Sequence, residues 1–233
     1  MKKNCYFAIA IMACFVSCES TVSNLNSHEY VDLGLSVKWA TCNVGANSPE
    51  EYGDYFAWGE TKPKEYYDWS TYKWHSYNGE YNGELPHDGY LTKYCVDNYF
   101  GPSITPADNK TVLDAVDDAA TTNWGGKWRM PTEAEQIELM ERCTWTWTVL
   151  NEIKGYKVVG PNGNSIFLPA AGMRYDEEAY GMGECGSYFS NTLCSEDSNN
   201  YVAHAIFMEE IEVFYDDDYG FRSVGRSVRP VCK

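Results

Sequence analysis

Thirteen residues, Asn123-Trp124-Gly125-Gly126-Lys127-Trp128-Arg129-Met130-Pro131-Thr132-Glu133-Ala134-Glu135, narrow what this chain can fold into more than any other stretch. The glycine pair lets the chain turn inward, and Trp128 and Met130, two apart, are placed to face a core. Pro131 ends the extended step. Thr132 and Glu135 have capping-box spacing, in which hydroxyl and carboxylate each satisfy an exposed backbone N–H. A helix over Glu133–Arg142 should follow, its apolar stripe made by Ala134, Ile137, Met140 and Cys143 with Leu139 beside it. Arg129 reads as one half of a buried ion pair with an acid. The rest of the chain is expected to pack around this helix.

The pattern then switches to period two at Thr144-Trp145-Thr146-Trp147-Thr148, the alternation of a half-buried strand. Tyr156–Val159 and Ser165–Leu168 flank Gly160-Pro161-Asn162-Gly163-Asn164, which has hairpin turn chemistry. Further strands are expected at Tyr201–Met208, Val213–Tyr215 and Ser227–Cys232, and two short ones around Gly34 within Tyr30–Trp39. Tyr67, Trp69, Tyr72 and Trp74 approximate another alternation. With 19 tyrosines and 8 tryptophans, large rings can fill a core that has few helices. The fold class expected is α+β, one main helix packed on short antiparallel strands with long loops.

Residues 1–17 read as a signal peptide: Lys2 and Lys3 precede the apolar run Tyr6–Val16, which is too short to span a bilayer. Phe15-Val16-Ser17-Cys18 resembles a bacterial lipobox, making Cys18 the lipidated residue and the membrane the first partner. Residues 18–28 then form a polar tether and 29–233 the folded domain, placed on the cell envelope at the outer membrane. Removing Lys2 and Lys3 leaves 16 basic residues against 34 acidic ones, a balance of −18. A surface so acidic, without a basic stripe, excludes nucleic acid as a partner. Six cysteines remain after Cys5, Cys14 and Cys18 are set aside, enough for fifteen disulfide pairings. No zinc-type Cys/His spacing occurs.

Several segments together carry a resemblance. Val31-Asp32-Leu33-Gly34-Leu35-Ser36-Val37-Lys38-Trp39-Ala40, Tyr52-Gly53-Asp54-Tyr55-Phe56-Ala57-Trp58-Gly59-Glu60-Thr61, Trp128-Arg129-Met130-Pro131-Thr132, Leu168-Pro169-Ala170-Ala171-Gly172-Met173-Arg174 and Arg226-Ser227-Val228-Arg229-Pro230-Val231 resemble the major paralogous domain first catalogued in Fibrobacter succinogenes. Such domains abound in exported and lipid-anchored proteins of gut Bacteroidetes. The resemblance implies a C-type-lectin-like fold, akin to that of formylglycine-generating enzymes, with first and last strands together. By that analogy Cys143 pairs with Cys232, leaving Cys42 for Cys95. Gly186-Ser187-Tyr188-Phe189-Ser190 departs from the family's usual Gly-Tyr-Trp-Ser-Ser, and cysteines at both 185 and 194 suggest a local Cys185–Cys194 disulfide.

Each chemical motif has a plainer alternative. Asp216-Asp217-Asp218 can offer calcium oxygens, but three adjacent acids cannot all reach one ion from a strand, and a solvated turn is the better reading. Glu60, Glu65, Asp68 and the rings Tyr66, Tyr67, Trp69, Tyr72, Trp74 and Tyr77 can make a sugar platform; a core role is favoured. Cys185 and Cys194 lack the spacing and flanks of a copper pair. His204 reads as a structural strand residue. No Ser/His/Asp order, phosphate loop or HExxH is present, so no catalytic residue, metal or cofactor is assigned.

Tyr175–Tyr219 is dense in Asp, Glu, Tyr, Asn, Ser and Gly, the residues of adaptable binding loops. The expectation is a non-catalytic binding or adhesion module using Tyr180, Tyr188, Asn199, Tyr201, Asp216 and Tyr219, with a glycan favoured over a surface protein as ligand. The alternatives are a structural envelope component without soluble ligand, or, through the lectin-like resemblance, a variable binder of the diversity-generating-retroelement type.

Overall fold

The structure is a computed structural model, and it describes residues 22–25, 28–77, 89–96, 107–194, 200–216 and 220–233. Strands β1 (Val22–Leu25), β2 (His28–Val31) and β3 (Lys38–Ala40) form one sheet with the last strand, β14 (Val231–Cys232), in the order β1-β2-β3-β14. Val231 lies opposite Trp39, so the two ends of the domain are stitched together. A hairpin follows, β4 (His75–Tyr77) with β5 (Gly89–Leu91). Two helices, α1 (Ala119–Trp124) and α2 (Glu133–Arg142), precede the meander β6 (Thr144–Leu150), β7 (Ile153–Val159) and β8 (Ser165–Pro169). The hairpin β9 (Met173–Tyr175)–β10 (Glu178–Tyr180) leads into the sheet β11 (Cys185–Leu193), β12 (Ala203–Glu209) and β13 (Val213–Asp216).

Among the described residues strand accounts for 40% and helix for 11%, in small antiparallel sheets. This overturns the α+β expectation of one main helix, and with it the lectin-like assignment: the fold is β-rich. The reason lies on α2 itself. Its capping box is present as expected, Thr132 Oγ1 accepting from Glu135 N and Glu135 accepting from Thr132 N. Its anticipated stripe is not the buried one, however. Ala134 is exposed and Ile137 and Met140 are half-buried, while Gln136 and Leu139 are buried. Ten residues that bury one aliphatic side chain and one amide cannot organise a core. Gln136 instead donates from Nε2 to the Tyr188 carbonyl at 2.9 Å, tying the helix to β11.

The core is built by strands buried on both faces. In the register of β11-β12-β13, Tyr188 faces Ile206 and Ile206 faces Tyr215, while Met208 faces Val213. Side chains alternate sides along a strand, so these residues share one face. That face packs into the cluster containing Val31, Leu33, Trp39, Leu139, Val158 and Leu168. The opposite face sends Phe189, Ala203 and Ala205 into a second cluster with Phe56, Trp58, Tyr94 and Met130. The alternation expected on β6 is present, with Trp145 and Trp147 set edge-on to Tyr156 at 5.5 and 5.0 Å. The segment Tyr67–Trp74 is irregular rather than a strand, and Tyr67 and Tyr72 lie in a third core cluster, as the core reading of these rings requires.

Three arginines near the C-terminus, Arg222, Arg226 and Arg229, are buried. Arg222 donates to the carbonyls of Lys93, Tyr94 and Asn200 and to the Tyr72 hydroxyl, beneath the rings of Trp58 and Tyr72. Arg229 donates to Asn43 Oδ1 and to the carbonyls of Ala40 and Thr41. Arg226 donates to Ser187 Oγ and lies over the Phe189 ring. Both arginines of the landmark Arg226–Val231 thus serve the packing, Arg229 by joining Ala40, Thr41 and Asn43 and Arg226 by holding the Ser187 hydroxyl.

None of the six cysteines is in a disulfide. Cys185 and Cys194 lie at opposite ends of β11, and at about 3.3 Å per residue they are some 25–30 Å apart, beyond bridging reach. Cys143 packs against the first cluster and Cys232 in another with Ala40 and Trp128. Cys42 donates its thiol to the Ala46 carbonyl, whereas Cys95 packs with Leu91 and Tyr67 in the third cluster.

Candidate functional site

The hairpins β9–β10 and β12–β13 enclose a groove of about 490 Å³, lined by Met173, Tyr175, Tyr180, Phe207, Phe214, Phe221, Val224 and Arg226. Register explains the lining. Met173 pairs with Tyr180 and Tyr175 with Glu178, which puts all four on one face of the first hairpin. Phe207 pairs with Phe214 on the second, ring centroids 5.1 Å apart. Three of the rings stay partly open, Tyr175 at 40% exposure, Tyr180 at 45% and Phe214 at 37%.

The walls are pinned. Asp176, at the tip of the first hairpin, exchanges two backbone hydrogen bonds of 2.9 Å with Tyr67. Arg174 exchanges two more with Gly225, at 2.8 and 2.9 Å. Gly225 has to be glycine, because a Cβ there would stand 2.7 Å from the Tyr67 ring. The Tyr67 hydroxyl in turn donates to the Tyr55 carbonyl at 2.6 Å. The groove floor is thus a stack of backbone bridges on a buried ring, a preorganised surface.

Acid side chains share the groove faces. Glu178 sits beside Tyr180 and, as hydrogen-bond partner, is the first cause holding that phenol above its ordinary pKa. Glu209 and Glu212 follow Phe207 and precede Phe214 by two residues, which places them on the same side of the β12–β13 hairpin. Arg226, the one cation of the lining, is 1% exposed and engaged with Ser187.

Of the residues expected to bind ligand, Tyr180 lies in this groove. Tyr188 does not: it is 2% exposed, its hydroxyl donates to the Pro169 carbonyl at 2.6 Å, and burial pushes its pKa up. Both faces of β11 are core: Tyr188 enters the first cluster and its neighbour Phe189 the second. Tyr201 is half-buried edge-on against Trp69 at 5.3 Å. Asp216 closes β13 opposite Ala205. Asn199 and Tyr219, like Cys18, lie outside the described residues. Met173, Tyr175, Phe207, Phe214, Phe221 and Val224 were not anticipated. Phe207 is hidden in the continuous apolar run Ala205–Met208, where only strand register separates the two faces.

Among the described residues no group of three or more His, Cys, Asp or Glu is arranged to hold a metal. His204 stands 3.5 Å from Glu133 and 5.2 Å from the Tyr215 ring, within the buried face of β12. No known protein family, curated protein or solved structure matches this chain.

Proposed function

We propose that this chain is a lipid-anchored, non-catalytic binding module of the cell envelope, and that the groove between the two hairpins is its site. One observation carries the reading: three partly exposed rings line a single apolar groove whose walls are pinned by backbone bridges. Apolar grooves with a few polar groups are the usual form of binding sites. The lipobox-like Cys18 and the family-like segments support the placement on the envelope.

A polypeptide segment fits the lining better than a glycan. Sugar hydroxyls need several convergent hydrogen-bonding groups, whereas the polar lining groups here are the hydroxyls of Tyr175 and Tyr180 and the engaged Arg226. The glycan reading keeps one specific support, the carboxylate of Glu178 beside the Tyr180 ring, an arrangement that suits a sugar's C–H face and hydroxyl together. Probing a combined peptide and glycan array with residues 19–233 separates the two readings. Ligands lost on Tyr180→Ala support the groove as the site; ligands retained by that variant place binding elsewhere.

A further inference from the structure

We infer that the end of the first sheet at which β1 enters rests on anionic phospholipid headgroups through Lys38, Lys127 and Lys233. The inference builds on the lipid-anchor reading and adds which part of the domain meets the membrane and what it recognises there. Two independent features point to it.

The first is where the chain enters the sheet. Val22, the first residue of β1, pairs with Val31; Val31 pairs with Trp39, Trp39 with Val231, and Val231 bridges to Arg129. One row thus crosses the sheet from the entering chain to Arg129. The next row carries Lys38 opposite Cys232. Lys233 follows Cys232, and the antiparallel bridge of Arg129 to Val231 puts Lys127 across from it. Glu19, Ser20 and Thr21 are the residues between Cys18 and β1. Fully extended, the four steps from Cys18 to Val22 span at most about 14 Å. An acylated Cys18 therefore holds this end of the sheet against the bilayer.

The second is charge. In a chain of formal net charge −16, this end of the sheet is cationic. Lys127 and Lys233 are exposed, and Lys38 is half-buried with its ammonium 5.2 Å from the Tyr30 ring centroid. Among the described residues no carboxylate forms a salt bridge with any of the three, whereas Lys64, Lys73, Lys93 and Lys110 are each tied to one. Arg129 is neutralised by Glu135. Of the neighbouring acids, Glu29 falls on the opposite face of β2 from Tyr30, and Asp32 turns its carboxylate to the Gly34 N–H at 2.8 Å. Burial pushes the Cys232 thiol up, and the charges acting against it, those of Lys38, Arg129 and Lys127, are all cationic. Lysines held close to an anionic surface are attracted to it within a Debye length, while the acidic remainder of the domain is repelled. Tyr30 and Trp124, both half-buried against the cluster of Ala40, Trp128 and Cys232, are the ring types that favour headgroup level.

The test expresses the full chain with its signal peptide and reconstitutes the purified product in two kinds of vesicle. One is phosphatidylcholine alone, the other an equal mixture of phosphatidylcholine and phosphatidylglycerol. Lysines are labelled with acetic anhydride and read by mass spectrometry, which also reports any lipid on Cys18. The inference expects Lys38, Lys127 and Lys233 to label at least about fivefold more slowly on the anionic vesicles than on the neutral ones, with Lys154 on β7 unchanged. Added salt should restore their labelling, and Lys38→Gln with Lys127→Gln should release Lys233. Equal labelling on both vesicles, protection shared by Lys154, or a Lys233 still protected in the double variant overturns the inference. Protection that appears with added envelope proteins but not with lipid assigns the patch to a protein and overturns it as well. In each of these cases an acylated Cys18 leaves the anchor reading standing. A Cys18 without lipid removes the anchor reading, and the inference with it.

Discussion

Phe207 and Phe214 stand opposite each other on β12 and β13 with ring centroids 5.1 Å apart, and Phe214 stays 37% exposed. The same two strands turn Tyr188's partner Ile206, together with Tyr215, to the other side, into the core. One hairpin thus serves stability with one face and the groove with the other. Substitutions on the two faces should separate.

Tyr188→Ala should lower stability by about 3–5 kcal/mol, because it empties a buried ring site and removes one of the two donors to the Pro169 carbonyl, the other being the Ala171 N–H. Tyr180→Ala, on the exposed hairpin, should change stability by less than about 0.5 kcal/mol. Urea unfolding of both variants checks this. Equal losses would make Tyr180 a core residue.

The Arg222 guanidinium donates to the carbonyls of Lys93, Tyr94 and Asn200, joining two separate loops. Arg222→Ala should cost at least about 3 kcal/mol, since each buried acceptor left unsatisfied costs about 1–3 kcal/mol. Arg222→Lys should not rescue it, because one ammonium cannot reproduce the planar fork. A lysine variant with wild-type denaturation midpoint would refute the stitching role.

Thr132→Ala should destabilise by about 1 kcal/mol through the lost cap of α2, with binding unaffected. Arg129 donates to both oxygens of Glu135 at 2.7 and 2.6 Å, so Glu135→Gln should lose more than Thr132→Ala. Paired thermal melts decide the order.

This capped turn shows how much of the molecule was legible. Local grammar is read by local rules: the capping box, the β6 alternation and the β7–β8 hairpin all needed only neighbours a few residues away. The groove needed register. Phe207 and Phe214 are assigned to one face by a pairing across a turn, and Tyr175 and Tyr180 by another. The nine-residue β11 was missed because Gly186, Ser187, Ser190 and Asn191 have little strand propensity; burial between two clusters overrides it. The α+β expectation failed because capping shows where a helix starts, and says nothing about how much core it buries.

Asp117 gives a pH prediction. Burial pushes its carboxyl up, but hydrogen bonds from Lys93, Lys73 and Tyr94 outweigh that and hold it below the ordinary value. A depressed folded-state pKa contributes stability that is fully present above the ordinary carboxylate value near 4 and is lost as pH falls through the folded value. Between about pH 5 and pH 2 the wild type should therefore lose stability faster than Asp117→Asn. Parallel acid-dependence curves for the two proteins would remove Asp117 from the account.

The most direct measurement of the central claim compares the wild type with Tyr180→Ala and Phe214→Ala on one combined peptide and glycan array, with folding of each checked by its melting curve. The account predicts that the wild type binds a defined ligand set and that both folded variants lose it. Undiminished binding by the two folded variants would contradict it.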